Sequence, residues 1–136
     1  MADPSIASIR VRRVYDGPDG GYRVLVDRIW PRGVARAGLE LDEWCKAVAP
    51  SVETRKAFNH RPERFGEFTE RYEAELRAAG DPEHSEDGGR PAVDALLARW
   101  QGSRKKDLVL LYAARDEAHN QALVLRDVLE DVYRSR

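Results

Sequence analysis

Tyr22-Arg-Val-Leu-Val-Asp-Arg-Ile-Trp30 carries a continuous apolar core, Val24 to Val26, and then turns polar. Such a run predicts a strand covered on both faces, as in the middle of a parallel sheet. Pro31-Arg-Gly33 ends it. Leu108-Val-Leu-Leu-Tyr-Ala-Ala114 repeats the pattern and predicts a second buried strand. Two buried strands separated by a long helical passage predict a parallel pair with a right-handed crossover and helices packed on the sheet. The expected fold is α/β: a small, mainly parallel, Rossmann-like sheet in three layers.

Outward from this pair the pattern is less regular. Ile6 to Tyr15 mixes β-branched and basic residues, which predicts a strand at an edge or with one wet face. Asp16-Gly-Pro-Asp-Gly-Gly21 then breaks the chain. That link is shorter than the dozen or so residues a parallel crossover usually needs, so spacing favours an antiparallel edge strand. Leu41, Trp44, Cys45 and Val48 recur at helical spacing, which predicts a short amphipathic helix stopped by Pro50. Ser51 suits the N-cap of a helix through about Phe58, and Pro62 the first turn of the next. In that next helix Phe65, Phe68, Tyr72 and Leu76 form a stripe expected to pack in the core. Residues 80–90 read as an exposed, mobile loop rich in breakers. Val93, Leu96, Leu97 and Trp100 form another apolar face, with Gly102 placed to end the helix in a left-handed conformation. Asp116 is the expected cap of a last helix with Ala118, Ala122, Leu125, Leu129 and Val132 facing inward.

A chain of 136 residues predicts one domain over residues 1–136. A net charge of -1 supplies no global field towards nucleic acid or anionic membrane, so any basic surface is local. The longest apolar runs fall far below the roughly 20 residues of a membrane span. Met-Ala-Asp-Pro-Ser5 has no signal-like pattern, and the single cysteine fits a reducing compartment; together they place the protein in the cytoplasm. Oligomeric state is not legible.

Sheets of this class bind ligands beyond the carboxyl ends of their strands. There the chain supplies Asp27, Arg28, Trp30, Arg32, Arg115, Asp116, His119 and Asn120. If the two strands are parallel neighbours, three arginines, two aspartates and a histidine converge beside a helix N-terminus, the chemistry of an anion site. Asp27 and His119 are the candidates for acid or base work. The competing structural reading pairs Asp27 with an arginine, uses Asp116 as a cap and lets Trp30 fill a gap. No serine or cysteine is tied to His119 by spacing. Cys45, beside Trp44, reads as a packing residue. His60, His84 and His119 belong to no metal-binding pair, so no metal site is expected, and the absence of a P-loop or Gly-x-Gly-x-x-Gly leaves any cofactor unnamed.

Four segments carry a family resemblance: Arg23-Val-Leu-Val-Asp-Arg-Ile-Trp-Pro-Arg-Gly33, Ala49-Pro-Ser51 followed by Arg55, Arg71-Tyr72, and Leu110-Leu-Tyr-Ala-Ala-Arg-Asp116 with His119-Asn120. Together they resemble the YeaO-like branch of domain-of-unknown-function family 488, small uncharacterised bacterial proteins, over nearly the whole chain. The resemblance implies an α/β fold and gathers Asp27, Arg28, Trp30, Arg32, Ser51, Arg71, Tyr72 and Asn120 into one crevice. It supplies no reaction. Gln121 stands where similar proteins often carry histidine, and Arg61 where they often carry aspartate, so no mechanism needing either group is supported. Residues 80–90 look like an enlarged insertion.

Three functions fit this reading. One is a hydrolase or transferase on a phosphorylated or other anionic substrate, clamped by Arg28, Arg32 and Arg115. Another is a non-enzymatic, anion-responsive binding or interaction protein. The third is a nucleic-acid-associated module stacking bases on Trp30 or Tyr72, which the near-neutral charge disfavours.

Overall fold

A computed structural model describes residues 8–17 and 20–135. Ile6, where the first strand is expected to begin, Pro18 and Asp19 of the following turn, and residues 1–5 lie outside them. Among the described residues one sheet contains β1 (Ile9–Arg13), β2 (Tyr22–Leu25), β3 (Glu43–Trp44) and β4 (Leu108–Tyr112), in the order β1-β4-β2-β3. Four α-helices pack on it: α1 (Val52–Phe58), α2 (Phe65–Arg77), α3 (Gly89–Ser103) and α4 (Gln121–Arg134).

The two apolar runs occupy the interior of the sheet. β2 and β4 pair in parallel, Val24 opposite Leu110 and Leu25 opposite Leu111, and these four side chains are fully buried. β1 lies at an edge, as its mixed composition predicts, but it pairs in parallel with β4, Val11 opposite Leu110. The antiparallel pairing favoured by the short link is therefore not formed. Val14, directly after β1, instead packs on the sheet among Leu25, Val109 and Leu111, and the chain re-enters the sheet through Gly21. Gly21 permits this close return: its φ is 84°, and a Cβ there would meet the Val109 side chain at 2.8 Å.

The faces are covered differently. Ile9, Val24, Leu108, Leu110 and Tyr112 meet the helices, through Phe68, Tyr72 and Leu76 of α2, Val93, Leu96, Leu97 and Trp100 of α3, and Leu125, Leu129 and Val132 of α4. The opposite face, Leu25, Val109 and Leu111, is covered by irregular chain carrying Val14, Trp30, Val34, Leu39 and Leu41. The third layer is thus irregular chain rather than α-helix. No helix among the described residues is long and apolar enough to cross a membrane.

Three local expectations are corrected. The segment from Leu41 to Val48 forms β3 and a 3₁₀ turn, Lys46–Val48, rather than an α-helix. β2 has an open edge, and Asp42 N–H donates to Arg23 O at 2.8 Å while Cys45 N–H donates to Leu25 O at 2.9 Å. Satisfying that edge outweighs a short helix stabilised by one apolar stripe. α3 runs through Gly102 and ends on Arg104, whose φ of 63° supplies the left-handed turn; Lys105 O accepts from the Trp100 indole at 3.0 Å. α4 is capped by Asn120, whose Oδ1 accepts from Leu123 N–H at 3.2 Å, so Asp116 is not its cap and Ala118 is exposed. Ser51 does cap α1, accepting from Thr54 N–H at 3.1 Å, and Pro62 opens the 3₁₀ turn that leads into α2. Residues 80–87 are exposed apart from half-buried Ser85, and Ser85–Asp87 forms a 3₁₀ turn.

Candidate functional site

Because β2 and β4 are parallel neighbours, the segments leaving their carboxyl ends open onto the same space. There a crevice of about 390 Å³ is lined by Asp27, Arg28, Trp30 and Arg32 after β2, Ala113 to Arg115 after β4, and His119 to Gln121 at the start of α4. Its size is that of a small-molecule site.

Asp27 accepts hydrogen bonds on both oxygens. Ala113 N–H donates to Oδ2 at 2.9 Å, and the Gln121 side-chain amide donates to Oδ1. The Trp44 indole N–H fixes the Asp27 carbonyl at 2.6 Å. Burial pushes the carboxyl up to about 6, against the opposing pull of the Ala113 N–H and the Arg55 charge. Asp27 therefore changes charge close to neutral pH.

Four arginines line the same crevice. Arg28 donates from Nε and Nη2 to Pro50 O, both at 3.3 Å, which draws the turn after β2 towards the start of α1. Arg55 projects from α1, three residues before Phe58 on the same helix face, and both line the crevice. Arg32 and Arg115 are exposed and stand at the mouth with His60. His119 Nδ1 lies 2.9 Å from Asp116 Oδ2, and its ring meets Phe65 edge-on at 5.2 Å. Among the described residues no hydrogen bond joins Asp27 to His119. Positive charge is concentrated here in a chain of net charge -1.

The remaining lining is apolar. Phe58 and Phe68 stack at 4.6 Å, beside Pro31 and Pro50, and Tyr15 and Ile29 stand exposed at the mouth. Trp30 lines the crevice but also packs: its N–H donates to Val34 O at 2.7 Å, and Trp44 meets it at 5.3 Å. Arg36 covers its ring at 4.8 Å.

Seven sequence-predicted residues thus share the crevice: Asp27, Arg28, Trp30, Arg32, Arg115, His119 and Asn120. Four do not line it. Tyr72 is fully buried, its hydroxyl donating to Val48 O, so it is unavailable for stacking a base. Ser51 donates its hydroxyl to Glu75 Oε2 at 2.6 Å and its N–H to Oε1 at 2.9 Å, and Thr54 adds a 2.5 Å bond to Oε2. Burial alone would raise Glu75, yet these donors, with Arg71 beside it, hold its carboxyl below the ordinary carboxylate range. Ser51 and Arg71 therefore belong to a tie between α1 and α2. Asp116 accepts from Ala118 and His119 N–H at 2.9 and 3.0 Å, shaping the turn before α4.

Sequence reasoning missed Tyr15, Arg55, His60 and Gln121 as lining residues. Arg55 had a signal, one turn after Ser51 on Phe58's face; His60 had none, because its place depends on two successive left-handed residues, Asn59 at φ 48° and His60 at 54°. Cys45 is buried, and burial raises its thiol, as fits a packing residue. One metal-type grouping also escaped notice: Asp81, His84 and Asp87, three residues apart, each offer a ligand atom within 4.8 Å of the others on exposed chain. The crevice itself offers one carboxylate and two imidazoles among arginines, a poor set for a cation.

Residues 8–136 match the family model described as the inactive DUF488-N3 subclade. The chain belongs to the DUF488 family. A DUF488 relative, the uncharacterised protein YeaO of Escherichia coli K12, is 42% identical over 127 residues, covering 92% of this chain and 99% of its own. Uncharacterised proteins of Mycobacterium bovis and Mycobacterium tuberculosis are each 45% identical over 105 residues, covering 75% of this chain and 89% of theirs. No solved structure matches significantly.

Proposed function

We propose that this chain is a cytoplasmic binding protein that takes a small anionic ligand into the crevice without turning it over. The observation that carries this reading is that Arg28, Arg32, Arg55 and Arg115 line one crevice with the carboxyl of Asp27, whose two oxygens are held by the scaffold. Guanidinium groups bind phosphate and carboxylate through paired N–H donors. Gln121 cannot relay a proton as a histidine in its place could, because an amide does not titrate near neutral pH. The family model's description as an inactive subclade agrees with this reading.

A second reading rests on Asp27 itself. A buried carboxyl titrating at about 6 suits acid–base catalysis, and His119 opens on the same crevice. In that case the protein is a hydrolase or transferase on an anionic substrate.

Thermal unfolding with phosphate, sulfate, phosphorylated sugars and nucleotides, in wild type and Arg115→Ala, tests the first reading. A ligand at a hundred times its dissociation constant adds about 2.7 kcal/mol of stability, a shift of several degrees. Arg115 is exposed, so its loss leaves folding intact and weakens binding by about 1–2 kcal/mol. Absence of any shift removes the anion site. Product accumulating over hours with a bound ligand, and lost in Asp27→Asn, establishes the second reading instead.

A further inference from the structure

The lining of the crevice is more than an inorganic anion needs. A phosphate or sulfate would fill a small part of about 390 Å³ and leave the apolar side chains at the crevice's edge in water. Two of the three large apolar side chains exposed among the described residues, Tyr15 and Ile29, also stand at its mouth, Ile29 at 59% exposure. Apolar surface left in water beside a polar site is a mark of ligand contact. Tyr15 is held rather than free: its hydroxyl donates to Arg32 O at 3.1 Å and the Arg13 guanidinium lies 5.0 Å from its ring centre.

The polar groups divide by depth. Arg32 and Arg115 are exposed at the mouth, whereas Asp27 lies inside, at the ends of β2 and β4. A ligand spanning both places a negative group outside and a hydrogen-bond donor inside, with a flat apolar body between them. Resting on the anion-binding reading, we infer that the ligand is a mononucleotide-sized phosphorylated heterocycle: its phosphate lies on Arg32 and Arg115, its ring packs against Ile29 and Tyr15, and a ring N–H or amino group points to Asp27. A nucleic-acid strand fits less well, since the arginines line one crevice in a chain of near-neutral charge.

Isothermal titration of the full chain with inorganic phosphate, ribose 5-phosphate, AMP and a short single-stranded oligonucleotide, at one ionic strength, tests this. The variants are Arg115→Ala and Ile29→Ser, both at exposed positions. AMP is expected to bind at least tenfold more tightly than ribose 5-phosphate or phosphate. Ile29→Ser is expected to lower AMP affinity severalfold and leave phosphate affinity unchanged, and Arg115→Ala to weaken both. AMP binding no tighter than ribose 5-phosphate overturns the inference; Arg115-dependent phosphate binding in the same experiment leaves the anion site standing. An oligonucleotide that binds more tightly than AMP overturns it in favour of a strand. If no anion binds, the ligand class and the anion site fall together.

Discussion

Gln121, the first residue of α4, donates its side-chain amide to Asp27 Oδ1 just beyond β2. With Ala113 N–H on the other oxygen at 2.9 Å, this bond ties β2, β4 and α4 to a single carboxyl. The crevice is therefore built around a group that is costly to ionise, and the expected pH behaviour follows from it.

Asp27 rises from 3.8 to about 6 on folding, so between those values the native state holds a proton that the unfolded state has released. Its contribution is complete below about pH 4 and is lost as pH rises through 6. About two pKa units correspond to at most about 3 kcal/mol. Asp27→Asn is expected to stabilise the protein by about 1–2 kcal/mol at pH 8 and to leave pH 4 nearly unchanged. Urea unfolding across this range checks it; equal effects at both ends would place the origin elsewhere.

Glu75 works in the opposite sense, since its folded value lies below the ordinary 4.5. Its contribution is present above that value and is lost as pH falls. Glu75→Ala strips the acceptor from Ser51 and Thr54 and is expected to cost about 2–3 kcal/mol at pH 7. The difference from wild type should shrink at pH 3, which denaturant midpoints at the two pH values would show.

Tyr72 is expected to matter for stability and not for binding. Tyr72→Phe leaves the Val48 carbonyl without its hydroxyl donor and is predicted to cost about 1–2 kcal/mol. Anion affinity measured on the folded variant should match wild type; a large loss would return Tyr72 to the site.

Gly21→Ala tests the re-entry of the chain into the sheet. It combines a left-handed φ of 84° with a Cβ 2.8 Å from Val109 and 3.1 Å from Asp107 O, and a loss of about 2–4 kcal/mol is expected. Gly102→Ala, inside α3 with open space around it, should be neutral or stabilising by under about 1 kcal/mol. Thermal midpoints of the two variants compare the positions.

Apolar patterning alone made β2, β4 and the inward faces of α2, α3 and α4 legible, because burial on one or both faces imposes a period that survives in any tertiary context. It also placed Asp27 and Arg115 at adjoining strand ends, and so located the crevice. Several features lay beyond its reach. The segment from Leu41 to Val48 reads as a helix until the open edge of β2 claims Asp42 and Cys45 as hydrogen-bond partners. The parallel course of β1 goes with Val14 packing against Leu25, Val109 and Leu111, and the choice of Asn120 over Asp116 as cap depends on where α4 docks. Arg55 and His60 enter the site only because α1 and its left-handed exit bring them over β2 and β4. In each case the deciding contact joins residues far apart in sequence, whose hydrogen bonds and close packing leave no local period. The chain's own pattern set three of the four strands, the helical faces and the position of the crevice; the tertiary structure decided the fourth strand, the direction of the edge strand, the layer covering the second face and which side chains share the crevice with Asp27.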